Sequence, residues 1–193
     1  MDGETMMKKT LKLLLFVLLL LLLSGCGDWS LQYSETTVSG KWEAALARNE
    51  KKAFVYAYHW DGDLSEEGRV VTVPDEVEGL RVLKLGGYYG RGLPMPFTVL
   101  TPYPAALPEG ETAVNENDPE PCVFTLRLGP ELREIENVGW PPVFYVERDG
   151  EYVLMAACFY VEADPANKHF YSEDGILYRR SDGAKVEEID YPW

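Results

Sequence analysis

Two stretches of the chain repeat one apolar pattern, and this repetition limits the folds that the chain can adopt. The segments VVTVPDEVEGLRVLKLG (residues 70–86) and TLRLGPELREIENVG (residues 125–139) align at a constant offset of 55 residues. The matched apolar pairs are Val71 and Leu126, Val73 and Leu128, Val77 and Leu132, and Leu80 and Ile135. A shorter third copy begins at Phe159. Alternating apolar residues followed by a turn, repeated in this way, predict stacked coils that bury their faces against one another.

Tight turns are predicted towards the C-terminus. Asp-Gly favours a two-residue hairpin turn, because Gly accepts a positive φ and Asp tolerates it. Asp149-Gly150 separates two strand-like runs, residues 143–148 and 151–160, while Asp174-Gly175 and Asp182-Gly183 bracket residues 176–178. We expect residues 162–193 to form a closing β-meander that covers the open end of the coils.

The segment before the first copy predicts one helix and one strand. Ser39 can cap a helix that runs to Lys52, since apolar residues between them follow helical spacing. From Phe54 to Trp60 aromatic residues occupy every second position, which predicts a strand with one aromatic face. Such a face either stacks on a sugar or packs in a core, and core packing is the commoner outcome. The expected fold is therefore mainly β, a short irregular domain of repeat-like coils with antiparallel hairpins and one N-terminal helix.

The N-terminal residues predict a lipoprotein signal peptide. Lys8, Lys9 and Lys12 precede an unbroken apolar run, residues 13–23, whose helix would span about 16 Å against the roughly 30 Å of a bilayer core. The run ends in Leu-Ser-Gly-Cys, which resembles the bacterial lipobox and makes Cys26 the expected lipidation site. We expect the chain to be tethered by acyl groups to the extracytoplasmic face of a bacterial membrane.

The predicted organisation follows from these segments. Residues 1–25 are the signal peptide, residues 26–38 a lipid-anchored linker, and residues 39–193 a single β-rich domain. Within that domain, residues 91–121 hold seven of the thirteen prolines and predict an irregular insertion.

The charge of the chain excludes one class of partner. It has 18 basic and 32 acidic residues, and removing residues 1–26 takes away three basic and two acidic ones. The remainder has 15 basic and 30 acidic residues, a net charge of −15. Nucleic-acid binding needs a basic face, which this charge does not provide. The charge also argues against a domain that lies flat on anionic lipid, so we expect the tether to hold the domain while its body stays in water.

Two segments carry a resemblance to a known family. VTVPDEVEGLRVLKLG is similar to the bacterial BspA-type leucine-rich repeat, in which a strand, a proline, a polar pair, an apolar residue and a glycine precede a second strand. The tail from residue 161 resembles the segment that closes such repeats. Its matching positions are Asn167, Phe170, Tyr171, Asp174, Gly175, Leu177, Tyr178, Tyr191 and Pro192. The resemblance implies a repeat module that binds or adheres at the cell surface.

The largest break in this pattern suggests a ligand site. Where the family has a helical stretch after Leu85-Gly86, this chain has GGYYGRG and the proline-rich insertion. Aromatic residues near this break and after the second copy are the candidate ligand-binding residues: Tyr88, Tyr89, Tyr103 and Trp140. The alternative is that these rings seal the gap left by the missing stretch.

No motif predicts a catalytic residue, a metal or a cofactor. The two histidines, His59 and His169, have no metal-ligand spacing, and Asp61-x-Asp63 lacks the later residues of a calcium loop. Cys122 and Cys158 lie in apolar runs and form either a disulfide or two separate core thiols.

Two classes of function follow from the sequence. The first is a non-enzymatic binding or adhesion module at the cell surface, with a glycan or protein ligand. The second is an envelope enzyme, or an accessory subunit of an envelope enzyme or transporter.

Overall fold

Strands dominate the chain, as the sequence predicts. The computed structural model describes residues 35–90, 93–95, 97–136 and 143–192, with the backbone alone at 88–90 and 93–95. The strands are β1 (Glu35–Ser39), β2 (Trp42–Ala47), β3 (Lys52–His59), β4 (Val70–Thr72), β5 (Glu76–Val77), β6 (Leu80–Gly86), β7 (Tyr88–Gly90), β8 (Leu93–Met95), β9 (Thr98–Leu100), β10 (Glu120–Leu128), β11 (Glu134–Glu136), β12 (Val143–Arg148), β13 (Glu151–Ala163), β14 (Phe170–Glu173) and β15 (Ile176–Arg179). Short 3-10 helices occupy Arg48–Glu50 and Glu67–Arg69. In this part of the chain, no helix has the length and apolar character needed to cross a membrane.

Two larger sheets enclose the hydrophobic core. The first sheet has the order β1-β2-β3-β6-β11, with β5 beside β6 and β9 beside β3, and the second has the order β12-β13-β10-β4. Aromatic rings connect the two sheets: Trp60 lies 5.0 Å from Phe124, and Phe97 lies 6.0 Å from Phe159 (ring centroids). Large apolar side chains from both sheets are therefore buried in one cluster.

The repeated segments lie side by side in the second sheet. Strands β4, β10 and β13 are parallel, and the register places Val71, Leu126 and Val161 on adjacent strands. All three are at most 1% exposed. The pairing of Val71 with Leu126 is the one that the sequence alignment gives, and the third copy supplies the third strand. The copies therefore bury equivalent positions against one another, as stacked coils do.

The alignment fails at its fourth pair. Ile135 pairs with Leu85 of β6, not with Leu80. The first copy has a tight hairpin between β5 and β6, with positive φ at Glu78 and Gly79. This hairpin uses residues for which the second copy has no equivalent.

The predicted helix from Ser39 to Lys52 is wrong. Residues 42–47 form β2, which pairs with β1 through the Gly40-Lys41 turn and with β3 on its other side. Trp42, Ala44 and Leu46 also fit a strand period, and their burial in the core outweighs the helical preference of alanine. Because β1 begins at Glu35, the described structure also starts inside the range predicted as linker.

The aromatic residues of β3 do not share one face. The register of β3 against β2 slips by one residue, so that Ala57 pairs with Glu43 and Val55 with Ala44. Tyr56 is the extra residue of this β-bulge, which turns the side chains after it to the other face. Tyr58 and Trp60 consequently join the main core with Val55, while Tyr56 is buried in a separate small cluster. The aromatic side chains of this segment are therefore buried, as core packing predicts, but they lie on both faces of the first sheet.

The Asp-Gly turns form as predicted. Asp149-Gly150 joins β12 to β13, Asp174-Gly175 joins β14 to β15, and all four residues have positive φ. At Asp182-Gly183 the chain also reverses, and Tyr178 bridges to Lys185.

The C-terminal meander covers a free edge of β13. Strand β12 pairs with β13 only as far as Ala156. Beyond that point, the N–H groups of Phe159, Val161 and Ala163 donate to Asp190 O, Gly175 O and Ser172 Oγ, at 2.8, 2.8 and 3.0 Å. The meander therefore satisfies the backbone groups that an open edge would expose.

Asn167 joins the second coil to the meander. Its side chain is 1% exposed and donates through Nδ2 to the carbonyls of Gly129 (2.8 Å) and Leu132 (3.0 Å). Its Oδ1 accepts from the N–H groups of His169 (2.8 Å) and Phe170 (2.9 Å). All four hydrogen-bonding positions of the amide are thus filled.

The proline-rich insertion packs on the second sheet. Pro104 O accepts a hydrogen bond from Tyr145 N of β12, at 2.9 Å. The Asn115 side chain bonds both backbone groups of Leu154 in β13, at 2.7 and 2.9 Å. The insertion contains the short strands β8 and β9, and its last two residues, Glu120 and Pro121, are already the first residues of β10.

Candidate binding face

The second sheet has one face in the core and one face turned outward. In β10 the even-numbered residues from Cys122 to Leu128 are buried, and the residues between them are half-buried or exposed. The neighbouring strands alternate in the same way, and their registers place the outward side chains in four rows that run across the strands. The rows are Thr72, Arg127 and Glu162; Val70, Thr125 and Tyr160; Val123 and Cys158; and Pro121, Ala156 and Val143. We call these residues the outer face. Three of its four rows are largely apolar.

Tyr160 is the prominent side chain of the outer face. It is 48% exposed, and Val143 on the same face is 45% exposed. The Tyr160 ring also lies against the Asp174-Gly175 turn, so closely that a Cβ atom at Gly175 would be 2.6 Å from its Cδ1. The turn therefore supports one side of the ring while the rest faces solvent. A supported aromatic ring loses little conformational entropy when it binds a ligand.

The charged row of the outer face lies beside Tyr160. Arg127 Nε donates to Glu162 Oε2 at 2.7 Å, and both side chains are more than half exposed. Beyond this row, at the carboxyl ends of the three parallel strands, a cleft of about 360 Å³ is lined by Thr72, Val73, Asp75, Arg127, Leu128, Gly129, Pro130, Glu162, Ala163, Asp164 and Pro165.

The cleft has an excess of acidic groups. Its charged side chains are Asp75, Glu162, Asp164 and Arg127. Arg127 is paired with Glu162, and Asp164 Oδ1 accepts from Ala166 N at 2.7 Å. Among the described residues, no basic side chain forms an ion pair with Asp75 or Asp164. The cleft therefore presents uncompensated carboxylates to solvent.

The two cysteines are separate thiols, which decides the question that the sequence left open. The register pairs Cys122 with Ala157 and Val123 with Cys158, so the two side chains point to opposite faces of the sheet. Burial raises the pKa of both thiols, that of Cys158 to about 11. Cys158 lines a small apolar cavity of about 170 Å³ beside the C-terminal segment, where burial also raises the pKa of Asp190.

The residues predicted as a ligand site have different positions. Tyr103 is half-buried, stacks on Phe144 at 5.6 Å, and donates its hydroxyl to Gly62 O at 2.8 Å. Its ring and hydroxyl thus have partners inside the domain, as in the packing alternative. The backbones of Tyr88 and Tyr89 lie in β7, which pairs with β8, and nothing is described of their side chains. Trp140 and Cys26, the predicted lipidation site, lie outside the described residues.

Sequence reasoning did not select the outer face, although a signal for it exists. In each copy, the residues directly before and between the buried apolar positions must point away from the core. Aligning the three copies in register would have brought Val70, Thr125 and Tyr160 together. The sequence pattern instead favoured the aromatic rings at the break in the repeat.

Comparison of the chain with models of protein families, with curated proteins and with solved structures finds no match. Within the described residues, no group of three or more His, Cys, Asp and Glu side chains could hold a metal ion.

Proposed function

We propose that this chain is a lipid-anchored protein of the extracytoplasmic face of a bacterial membrane that binds or adheres to a ligand through the outer face, without enzymatic activity. The observation that carries this proposal is the half-exposed Tyr160 ring, held by the Asp174-Gly175 turn on a largely apolar face. Exposed aromatic and apolar side chains on a rigid sheet are typical of binding surfaces. The proposed ligand is a glycan or a protein.

Kinship with BspA-type leucine-rich repeats also belongs to this proposal. Two features support it: the parallel register of Val71, Leu126 and Val161, and the buried amide of Asn167 at the turn after the third copy. In a stacked-coil protein, the outward positions of the parallel strands are free for ligands, since the inward positions are used in packing.

An array screen tests the proposed function. Residues 27–193, which include all the described residues of one compact unit, are applied to glycan and peptide arrays. We expect at least one ligand whose binding is lost in Tyr160→Ala. Val38→Ala is the control, because Val38 is 65% exposed on β1, which is the edge strand of the first sheet and has no place in the second. The proposal would be contradicted if every array ligand bound Tyr160→Ala and Val38→Ala equally well while both variants melted cooperatively.

The cleft is the observation that favours the second class, an envelope enzyme or accessory subunit. It has the concave shape and the carboxylates that such a site uses. If the protein is an envelope enzyme or an accessory subunit, Asp75→Asn should abolish its function in the cell, while Tyr160→Ala should leave that function intact.

A further inference from the structure

The outer face and the cleft form one continuous surface. Arg127 and Glu162 belong to both, since they form the charged row of the outer face and line the cleft. Tyr160 lies two residues before Glu162 on β13, which places its ring on the same face about 7 Å along the strand. A ligand in contact with Tyr160 therefore reaches the cleft within the length of two or three residues of an extended peptide.

The two parts of this surface require different chemistry from a ligand. Val70, Val123 and Tyr160 offer apolar contact on this face. Asp75 and Asp164 have no basic partner among the described residues. Among the described residues that line the cleft, the basic one is Arg127, and Glu162 pairs with it at 2.7 Å. An acidic or sulfated ligand would meet repulsion there, and a cationic group would meet attraction.

The charge of the whole chain points the same way. With 18 basic and 32 acidic residues, it attracts cations at long range and repels anionic polymers. A neutral glycan would gain nothing from this charge. A sugar site also usually needs several polar groups around its aromatic platform, whereas the rows around Tyr160 are largely apolar.

From this charge complementarity, we propose that the occupant of the outer face is an extended, basic polypeptide segment, with an apolar side chain on Tyr160 and a lysine or arginine in the cleft at Asp75 and Asp164. This inference rests on the proposed function and specifies its ligand. The apolar contact supplies most of the affinity, and the carboxylates select the charge and speed association.

Three fluorescent probes test this inference with residues 27–193. The first is the octapeptide Val-Val-Lys-Lys-Val-Val-Lys-Lys, in which each face of the extended chain carries valine and lysine in turn. The second has glutamate in place of lysine, and the third is a neutral hexasaccharide. We expect the lysine peptide alone to bind, with an affinity that falls as salt is raised. Tyr160→Ala should weaken it roughly tenfold or more, the effect of an interface hot spot. The double variant Asp75→Asn/Asp164→Asn should weaken it roughly threefold to tenfold, in line with exposed ion pairs.

A matched control separates local from general charge effects. Glu109→Gln/Glu111→Gln removes the same charge from exposed positions of the insertion, and should change the affinity less than about twofold. An equal loss in this control and in the aspartate variant would overturn the inference, as would failure of the lysine peptide to bind. Binding of the sugar or the glutamate peptide in a Tyr160-dependent manner would also overturn it, but would leave the proposed function standing. The proposed function itself fails in the array screen if no ligand depends on Tyr160.

Discussion

Replacing Gly175 by alanine tests how the C-terminal meander is fixed to the parallel sheet. Gly175 and Gly150 have the same place in two Asp-Gly turns, with φ of 79° and 81°. Alanine in this left-handed region costs roughly 1–2 kcal/mol of unfolding free energy at either site. The backbone strain of the two substitutions is therefore matched, and the surroundings alone distinguish them.

The surroundings differ sharply. A Cβ atom at Gly150 meets no atom within 4 Å, whereas one at Gly175 would lie 2.6 Å from Tyr160 Cδ1 and 2.9 Å from its Cγ. Because Tyr160 Cβ is also only 3.3 Å away, turning the ring does not remove the whole clash. Overpacking of this kind costs typically about 1–3 kcal/mol. We expect Gly175→Ala to destabilise the domain by about 2–5 kcal/mol and Gly150→Ala by about 1–2 kcal/mol.

Thermal and urea unfolding of the two variants measure this difference. For a domain of this size, 1 kcal/mol corresponds to roughly 2–4 °C, so the two melting temperatures should differ by several degrees. Combining Gly175→Ala with Tyr160→Ala should bring the cost of the glycine substitution close to that of Gly150→Ala, because only the contact with the Cβ atom of residue 160, at 3.3 Å, is left. Equal melting temperatures for the two single variants, or an undiminished cost in the Tyr160→Ala background, would refute the contact between turn and ring.

Four further experiments test three expectations from the structure and one from the sequence. Asn167→Ala should lower the unfolding free energy by about 2–4 kcal/mol in urea titrations, because it leaves buried backbone donors and acceptors without partners; a loss below about 1 kcal/mol would show that the amide is dispensable. Since burial raises the pKa of the Cys158 thiol to about 11, its alkylation in the folded domain should be slow at pH 8 and accelerate up to pH 11, while the fully buried Cys122 stays unmodified; fast labelling at pH 8 would contradict this. The same pKa means that the unfolded state loses this proton first as pH rises, so stability should decline between about pH 9 and pH 11. Cys26→Ser should abolish the incorporation of labelled fatty acid in cells, and retained label would disprove the lipidation site.

Local chemistry explains what the sequence predicted well. An Asp-Gly pair needs nothing beyond its own two residues to form a tight turn, so Asp149-Gly150 and Asp174-Gly175 are where they were expected. The match of Val71 with Leu126 also holds, because equivalent apolar positions of stacked strands must face the same core.

Tertiary structure explains what the sequence could not predict. The segment from Trp42 to Ala47 fits both a helix and a strand, and its pairing with two neighbouring strands decides the outcome. The bulge at Tyr56 depends on the register between β2 and β3, which no local pattern specifies. Likewise, Tyr160 becomes part of a candidate site only when three distant segments are placed side by side and the Gly175 turn is brought against its ring.

The most direct test of the proposed function maps the bound ligand on the sheet. Amide chemical shifts of the isotopically labelled domain, residues 27–193, are followed by NMR during titration with the tightest array ligand. If the ligand binds to the outer face, the largest changes in amide chemical shift should occur at residues 123–127 of β10 and 158–162 of β13. Changes concentrated in residues 97–115 of the insertion instead, with those two strands unaffected, would contradict binding through the outer face.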